Sequence, residues 1–216
     1  MPFVPSVNVG LARPIAAKSG STGIDKLPVA SPVAVWEPPP SGSGLAGDTI
    51  CDTANHGGPD QAVYAYARED LDSWEHELGR TLRSGTFGEN LTTEGLDVTG
   101  ALIGQRWRIG RDLVLQVTVP RIPCRTFAVW LGRKGWVKTF TQRAVPGAYL
   151  RVVRPGFVNA GDRIEAENRP DHDVTIGVVF RALTTQPELL PRLLAAEELP
   201  EDVRARAIAR CPFELY

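Results

Sequence analysis

The spacing of apolar and polar positions predicts a body of short strands. Val7, Val9 and Leu11 share one face of a first strand. Residues 33–36, VAVW, form another, stopped by Pro38, Pro39 and Pro40. RWRI at 106–109 and LVLQVTV at 113–119 follow. The latter sets Leu113, Leu115, Val117 and Val119 against Gln116 and Thr118, and Pro120 and Pro123 end it. AYLRVVR and DRIEAE read as two more strands, joined through a turn at Pro155–Gly156. The clearest helix is 68–80, with Leu71, Trp74 and Leu78 on one face, Glu69 and Asp70 in the first turn and Gly79 to end it.

Beyond about residue 168 the pattern changes. Gly177 is the last glycine, and residues 187–196 and the stretch from Pro200–Glu201–Asp202 carry helix-start signals. VTIGVVFRAL at 174–183 fits a buried strand or a short helix equally by period. The expected organisation is a mainly β domain over 1–168 and a small helical unit over 169–216.

Composition supports a turn-rich, strand-rich chain, since 21 glycines and 18 prolines fall among 216 residues. No apolar run is long enough to span a membrane. The first residues also lack the basic start and apolar stretch of a secretory signal, so a cytoplasmic protein with no membrane partner is expected. Cys51, Cys124 and Cys211 are odd in number and widely spaced, which argues against a disulfide framework, a structural zinc site or an iron–sulfur cluster. Charge is unevenly placed. Residues 48–97 hold eleven acids, whereas 106–154 hold eleven Lys or Arg against Asp112 alone. A cationic half suggests an anionic small-molecule ligand. Trp130 and Trp136 are too sparse for a nucleic-acid stacking platform.

Three stretches carry candidate chemistry. PRIPCRTF at 120–127 places Cys124 between Arg121 and Arg125, cations that would favour a reactive thiolate; an inert buried cysteine is the plainer alternative. HGGPD at 56–60 offers His56 and Asp60 around two glycines, either a ligand-approaching turn or a simple tight one. FGENLTTEGL at 87–96 offers Asn90, Thr92 and Thr93 as hydrogen-bonding groups, or as a connection bonding its own backbone. Two other patterns fall away. The formal GxGxxG at Gly42, Gly44 and Gly47 follows prolines rather than a strand, and no GxSxG accompanies the HGG run.

Taken in order, HGGPDQAVY, FGENLTTEGL, IGQRWRIG, QVTVPRIPCRTF and GAYLRVVRPGFVNAGDRIE resemble the MOSC family, named for the C-terminal domain of molybdenum cofactor sulfurase. The resemblance covers roughly residues 5–168. The tail is similar to the three-helix extension of a stand-alone bacterial branch. It implies a MOSC-type β-barrel that binds the molybdenum cofactor, with Cys124 as the protein's ligand to the metal. It further implies reduction of small N-hydroxylated compounds with electrons from an external reductase. Cys124 and His56 are the expected catalytic residues, and His56, Asp60, Asn90, Thr92, Arg121 and Cys124 the expected cofactor contacts. A persulfide carrier on Cys124 and a non-enzymatic cofactor carrier are the alternatives. The helical tail is expected to meet the reductase, meet a second copy of the chain, or cover the barrel.

Overall fold

The computed structural model describes residues 1–17 and 19–213. Its strands are β1 (Phe3–Gly10), β2 (Arg13–Pro14), β3 (Ser21–Thr22), β4 (Lys26–Pro28), β5 (Val33–Val35), β6 (Val63–Ala67), β7 (Leu91–Glu94), β8 (Arg106–Ile109), β9 (Leu113–Pro120), β10 (Ala148–Arg154), β11 (Gly156–Val158) and β12 (Ile164–Ala166). The helices are α1 (Arg68–Leu78), α2 (Arg125–Leu131), α3 (Trp136–Arg143), α4 (Ile176–Thr184) and α5 (Glu201–Ala209), with a 3₁₀ stretch over Pro187–Ala195. Helix α1 ends as its sequence predicts, at Gly79 in the left-handed conformation with φ 63°.

Eight strands form one mixed sheet in the order β12-β8-β9-β10-β6-β7-β1-β4, parallel only between β6 and β7. The expected closed barrel is not present among the described residues. Its edges approach near the start of β1, through an isolated Phe3–Arg163 bridge and the Val4 N–H to Asp162 carbonyl bond of 2.9 Å. The short β12 gives this contact no length to become a ladder, and the other end of β1 pairs with β4 instead.

Strand β9 departs from its sequence pattern informatively. Its alternation predicts one wet face, yet all eight residues are buried. The polar positions are satisfied internally: Gln116 Nε2 donates to the Gly104 carbonyl at 3.1 Å, and Thr118 Oγ1 bonds the Asp60 and Tyr149 carbonyls at 2.6 and 2.9 Å. Thr118 thereby ties the HGGPD turn to the centre of the sheet.

The ambiguous segment 174–183 is a helix from Ile176, capped by Thr175, whose Oγ1 accepts from the Val178 amide at 3.2 Å. Val174, Ile176, Val179 and Leu183 join the apolar cluster of the sheet, as do Leu190, Leu193 and Val203 further along the tail. Phe180 enters a second, aromatic cluster built around Trp74, Phe87, Phe127, Trp136 and Phe140. The 168/169 boundary falls in an irregular connection, and the apolar core is continuous across it. This packing carries the tail to the mouth of the cavity described next.

Candidate functional site

Strand β9 is halted at Pro120, and the chain runs without regular structure to Cys124, which precedes the first turn of α2. Two cations flank the thiol in sequence, but only one faces it. Arg121 is 5% exposed, lies 4.0 Å over the Phe127 ring and 5.4 Å from the Tyr64 ring, and donates to the Phe87 carbonyl. Arg125 is exposed on α2. Burial opposes ionisation of the Cys124 thiol, yet a hydrogen bond from His56 and the Arg121 guanidinium outweigh it and bring its pKa down to about 6. His56 Nδ1 in turn lies 3.4 Å from the Tyr149 hydroxyl. Burial, only partly offset by Arg121, raises Tyr149 to about 12, so that its phenol stays protonated at neutral pH.

Cys124, His56 and Tyr149 stand between two adjoining cavities. The first is polar and lined by Ser19, Ser21, Thr22, Lys26, Asn90 and Arg121 among others. Its volume is about 90 Å³. The second, of about 700 Å³, is lined by the HGGPD turn, the PRIPC segment and residues of the tail, including Val203, Arg206 and Phe213.

The remaining sequence candidates have distinct places. Asn90 lines the polar cavity while cross-linking the fold: Oδ1 accepts from the Tyr64 amide at 3.1 Å, and Nδ2 donates to Asp48 at 3.0 Å. Thr92 lines neither cavity. It is fully buried and donates to Glu89 Oε1 at 3.1 Å, while Glu89 also accepts from the Gly85 and Phe87 amides at 2.5 and 3.0 Å. Burial pushes the Glu89 carboxyl up against those donors. Asp60 faces the larger cavity and pairs with Arg151 at 2.7 Å.

The glycines of HGGPD serve a close backbone approach. Gly58 has φ 83° and donates to the Gly42 carbonyl at 3.0 Å; a Cβ there would lie 2.6 Å from the Pro40 carbonyl oxygen. Residues of the formal GxGxxG therefore back this turn. Gly58→Ala is expected to lower stability by about 1–3 kcal/mol and to displace His56. Thermal unfolding and the alkylation rate of Cys124 would check this; an unchanged Tm and rate would remove the turn from the site's support.

Lys26, Asp48, Tyr64 and Tyr149 are additions that the sequence gives little sign of. Lys26 reaches the polar cavity because β4 pairs with β1 in a register that sets Gly10 against Lys26. Its ammonium pairs with buried Asp48, and burial lowers its pKa despite that partner. Cys51 also lines the polar cavity, whereas Cys211 is exposed and lines neither. Among the described residues no group of three or more His, Cys, Asp or Glu is placed to hold a metal ion. What the arrangement offers around Cys124 is an ionisable thiol, a histidine beside it, and the Arg121 guanidinium on one flank.

The MOSC domain pattern matches residues 52–165, and the chain belongs to the MOSC family. Over 205 residues it is 36% identical to the uncharacterized protein YflK of Bacillus subtilis strain 168, covering 93% of this chain and 90% of that one. It is 27% identical over 163 residues, 74% of this chain, to a protein named Reductase from Gibberella moniliformis, of whose length it spans 29%. The crystal structure of YiiM from Geobacillus stearothermophilus matches with a TM-score of 0.78 at 26% identity, covering 97% of this chain and 99% of that one. No helix among the described residues is long and apolar enough to cross a membrane.

Proposed function

We propose that this chain is a molybdenum-cofactor-binding oxidoreductase that reduces N-hydroxylated compounds to amines with electrons from an external reductase. The observation that carries this reading is Cys124, ionisable beside His56 and Arg121 where a polar and a larger cavity meet. The polar cavity suits an anionic pterin. Arg121 Nε is buried at its wall without a partner, and Ser19, Ser21 and Thr22 add hydroxyls, while the Lys26 ammonium is already paired with Asp48. A thiolate is also the ligand type preferred by a soft, sulfur-bound metal.

When bound, the cofactor would supply the two-electron transfer that breaks the N–O bond. The overall change is R–NHOH plus two electrons and two protons giving R–NH₂ and water. The chain's part is separate: Cys124 supplies one ligand, Arg121 stabilises its negative charge, and His56 stands beside it as the proton-handling group. Tyr149, held protonated, orients His56. The family and the relative named Reductase support the broader oxidoreductase assignment.

Purification from a host that makes molybdenum cofactor tests this. Near-stoichiometric molybdenum and pterin are expected, with oxidation of reduced viologen that depends on an added hydroxylamine. Neither metal nor pterin, from a host shown to load another molybdoenzyme, would sink the reading. A persulfide mass shift on Cys124 would then point to sulfur transfer.

A further inference from the structure

The outer face of the α2–α3 hairpin carries charge that neither cavity uses. Arg125, Arg133, Lys134 and Lys138 are exposed on it, and none of them lines either cavity. Arg80, exposed just beyond α1, donates to the Leu131 carbonyl at 3.0 Å and adds its cation to the same face. The chain has no Asp or Glu from 113 to 161, so the hairpin cannot neutralise itself. Glu75 and Glu77 of the adjoining α1 are taken by Arg68 and Arg143, at 2.8 and 2.5 Å. Among the described residues none of these exposed cations has an ion-pair partner.

The packing holds these charges in place and clear of the body. Phe127, Leu131, Trp136 and Phe140 anchor the hairpin's inner side in the aromatic cluster, with the Phe127 and Trp136 rings 5.4 Å apart. Gly132 and Gly135, both left-handed, turn the chain between the helices, and a Cβ on either would meet nothing within 4 Å. Arg133 and Lys134 therefore stand at an open tip. The other end of the face is the reaction centre: Cys124 caps α2 and Arg125 follows it, so this seven-residue helix sets the tip about 10 Å away.

The kind of partner follows from what the face lacks. Trp136 and Phe140 are buried, and Trp130 is half-buried, its Nε1 donating to the Thr86 carbonyl at 2.8 Å. No large apolar side chain is exposed on the hairpin, which leaves no ring to stack a nucleobase and no anchor for a bilayer. Charge without an apolar centre suits a weak, electrostatically steered encounter with an acidic protein, the kind that electron-transfer partners make. The tail suits it less, since Glu201 and Asp202 there sit beside Arg204 and Arg206.

We propose that this face docks the electron donor, and that the donor is a small acidic protein whose flavin or iron–sulfur group lies near a carboxylate-rich surface. The donor's role rests on the proposed reductase activity, each turnover oxidising it by the two electrons that R–NHOH consumes. The docking itself does not require the metal.

Calorimetric titration of the full-length cofactor-loaded protein with flavodoxin, an acidic flavoprotein, is the measurement. Binding is expected, weakening roughly tenfold between about 0.05 and about 0.3 M salt. Joint Arg133→Glu, Lys134→Glu and Lys138→Glu should weaken it about tenfold or more at the lower salt. Joint Arg111→Glu, Arg163→Glu and Arg169→Glu, the same charge change at exposed positions elsewhere, should leave it within about twofold. With a hydroxylamine present, the hairpin variant should keep the parent's rate with reduced viologen and show a raised KM for reduced flavodoxin. Circular dichroism checks folding; if the triple hairpin variant does not fold, Lys134→Glu at the open tip decides, with about a threefold loss of binding. No flavodoxin binding by the parent, equal loss in both triple variants, or tighter binding of a short DNA duplex or a phosphatidylserine vesicle through the same residues would overturn the inference. Molybdenum content and viologen activity separate the two readings. Flavodoxin binding without either counts against the reductase and not the surface, and both without flavodoxin binding count against the surface alone.

Discussion

Cys124→Ala is expected to fold normally and to lose molybdenum, its metal content falling roughly tenfold or more, while Cys51→Ala and Cys211→Ala retain it. The stability side follows from position. Cys124 is half-buried at the edge of the aromatic cluster, before α2, so removing one sulfur atom leaves strands and helices in place. The metal side follows from electrostatics, because Cys124 is the thiol lowered by His56 and Arg121. Cys51 is the stringent control, since it lines the same polar cavity. Metal analysis by mass spectrometry, paired with thermal unfolding, reads both effects. Equal metal loss in all three variants, or retention in Cys124→Ala, would remove Cys124 as the ligand.

Local chemistry made part of the fold legible. Helix α1 follows from one apolar face and a terminal glycine, both contained within a dozen residues. The β9 stretch is plainly a strand, but alternation alone could not show that Gln116 and Thr118 find partners inside the protein. Those partners come from Gly104 and Tyr149, distant in sequence, so the wet face expected from pattern is a satisfied interior one. The open sheet in place of a closed barrel has a similar origin. Strand pairing at the start of β1 depends on how much of the chain after Asp162 remains extended, and β12 is short.

The site divides along the same line. PRIPCRTF shows a cysteine beside two arginines, yet which arginine faces the sulfur depends on where α2 begins. The helix starts at Arg125, which is exposed, while Arg121 stays in the irregular approach and turns inward. FGENLTTEGL separates likewise: Asn90 borders a cavity, but Thr92 is consumed by Glu89. Lys26 and Tyr149 had no local signal, because both arrive through strand register. Motif membership thus located the stretches, and tertiary packing chose the atoms within them.

Arg121→Met should shift the titration of Cys124, measured in protein made without the cofactor. In the parent chain the thiol ionises at about 6, below the ordinary thiol value of about 8.5. A lowered folded-state pKa stabilises the fold fully above the unfolded value, and that contribution is lost as pH falls through about 6. Removing the guanidinium should move the alkylation midpoint of Cys124 upward by about 1–3 pH units, followed by peptide mass spectrometry so that Cys51 and Cys211 do not interfere. The parent's advantage in Tm over the variant should accordingly grow as pH rises from about 6 to about 8.5. Arg125→Met, at an exposed position on α2, should leave the midpoint unchanged. An identical shift in both variants would mean that net charge in the region, not the placement of Arg121, tunes the thiol. No shift in either would leave His56 as the group that keeps Cys124 ionised, and His56→Ala would then be the variant to titrate.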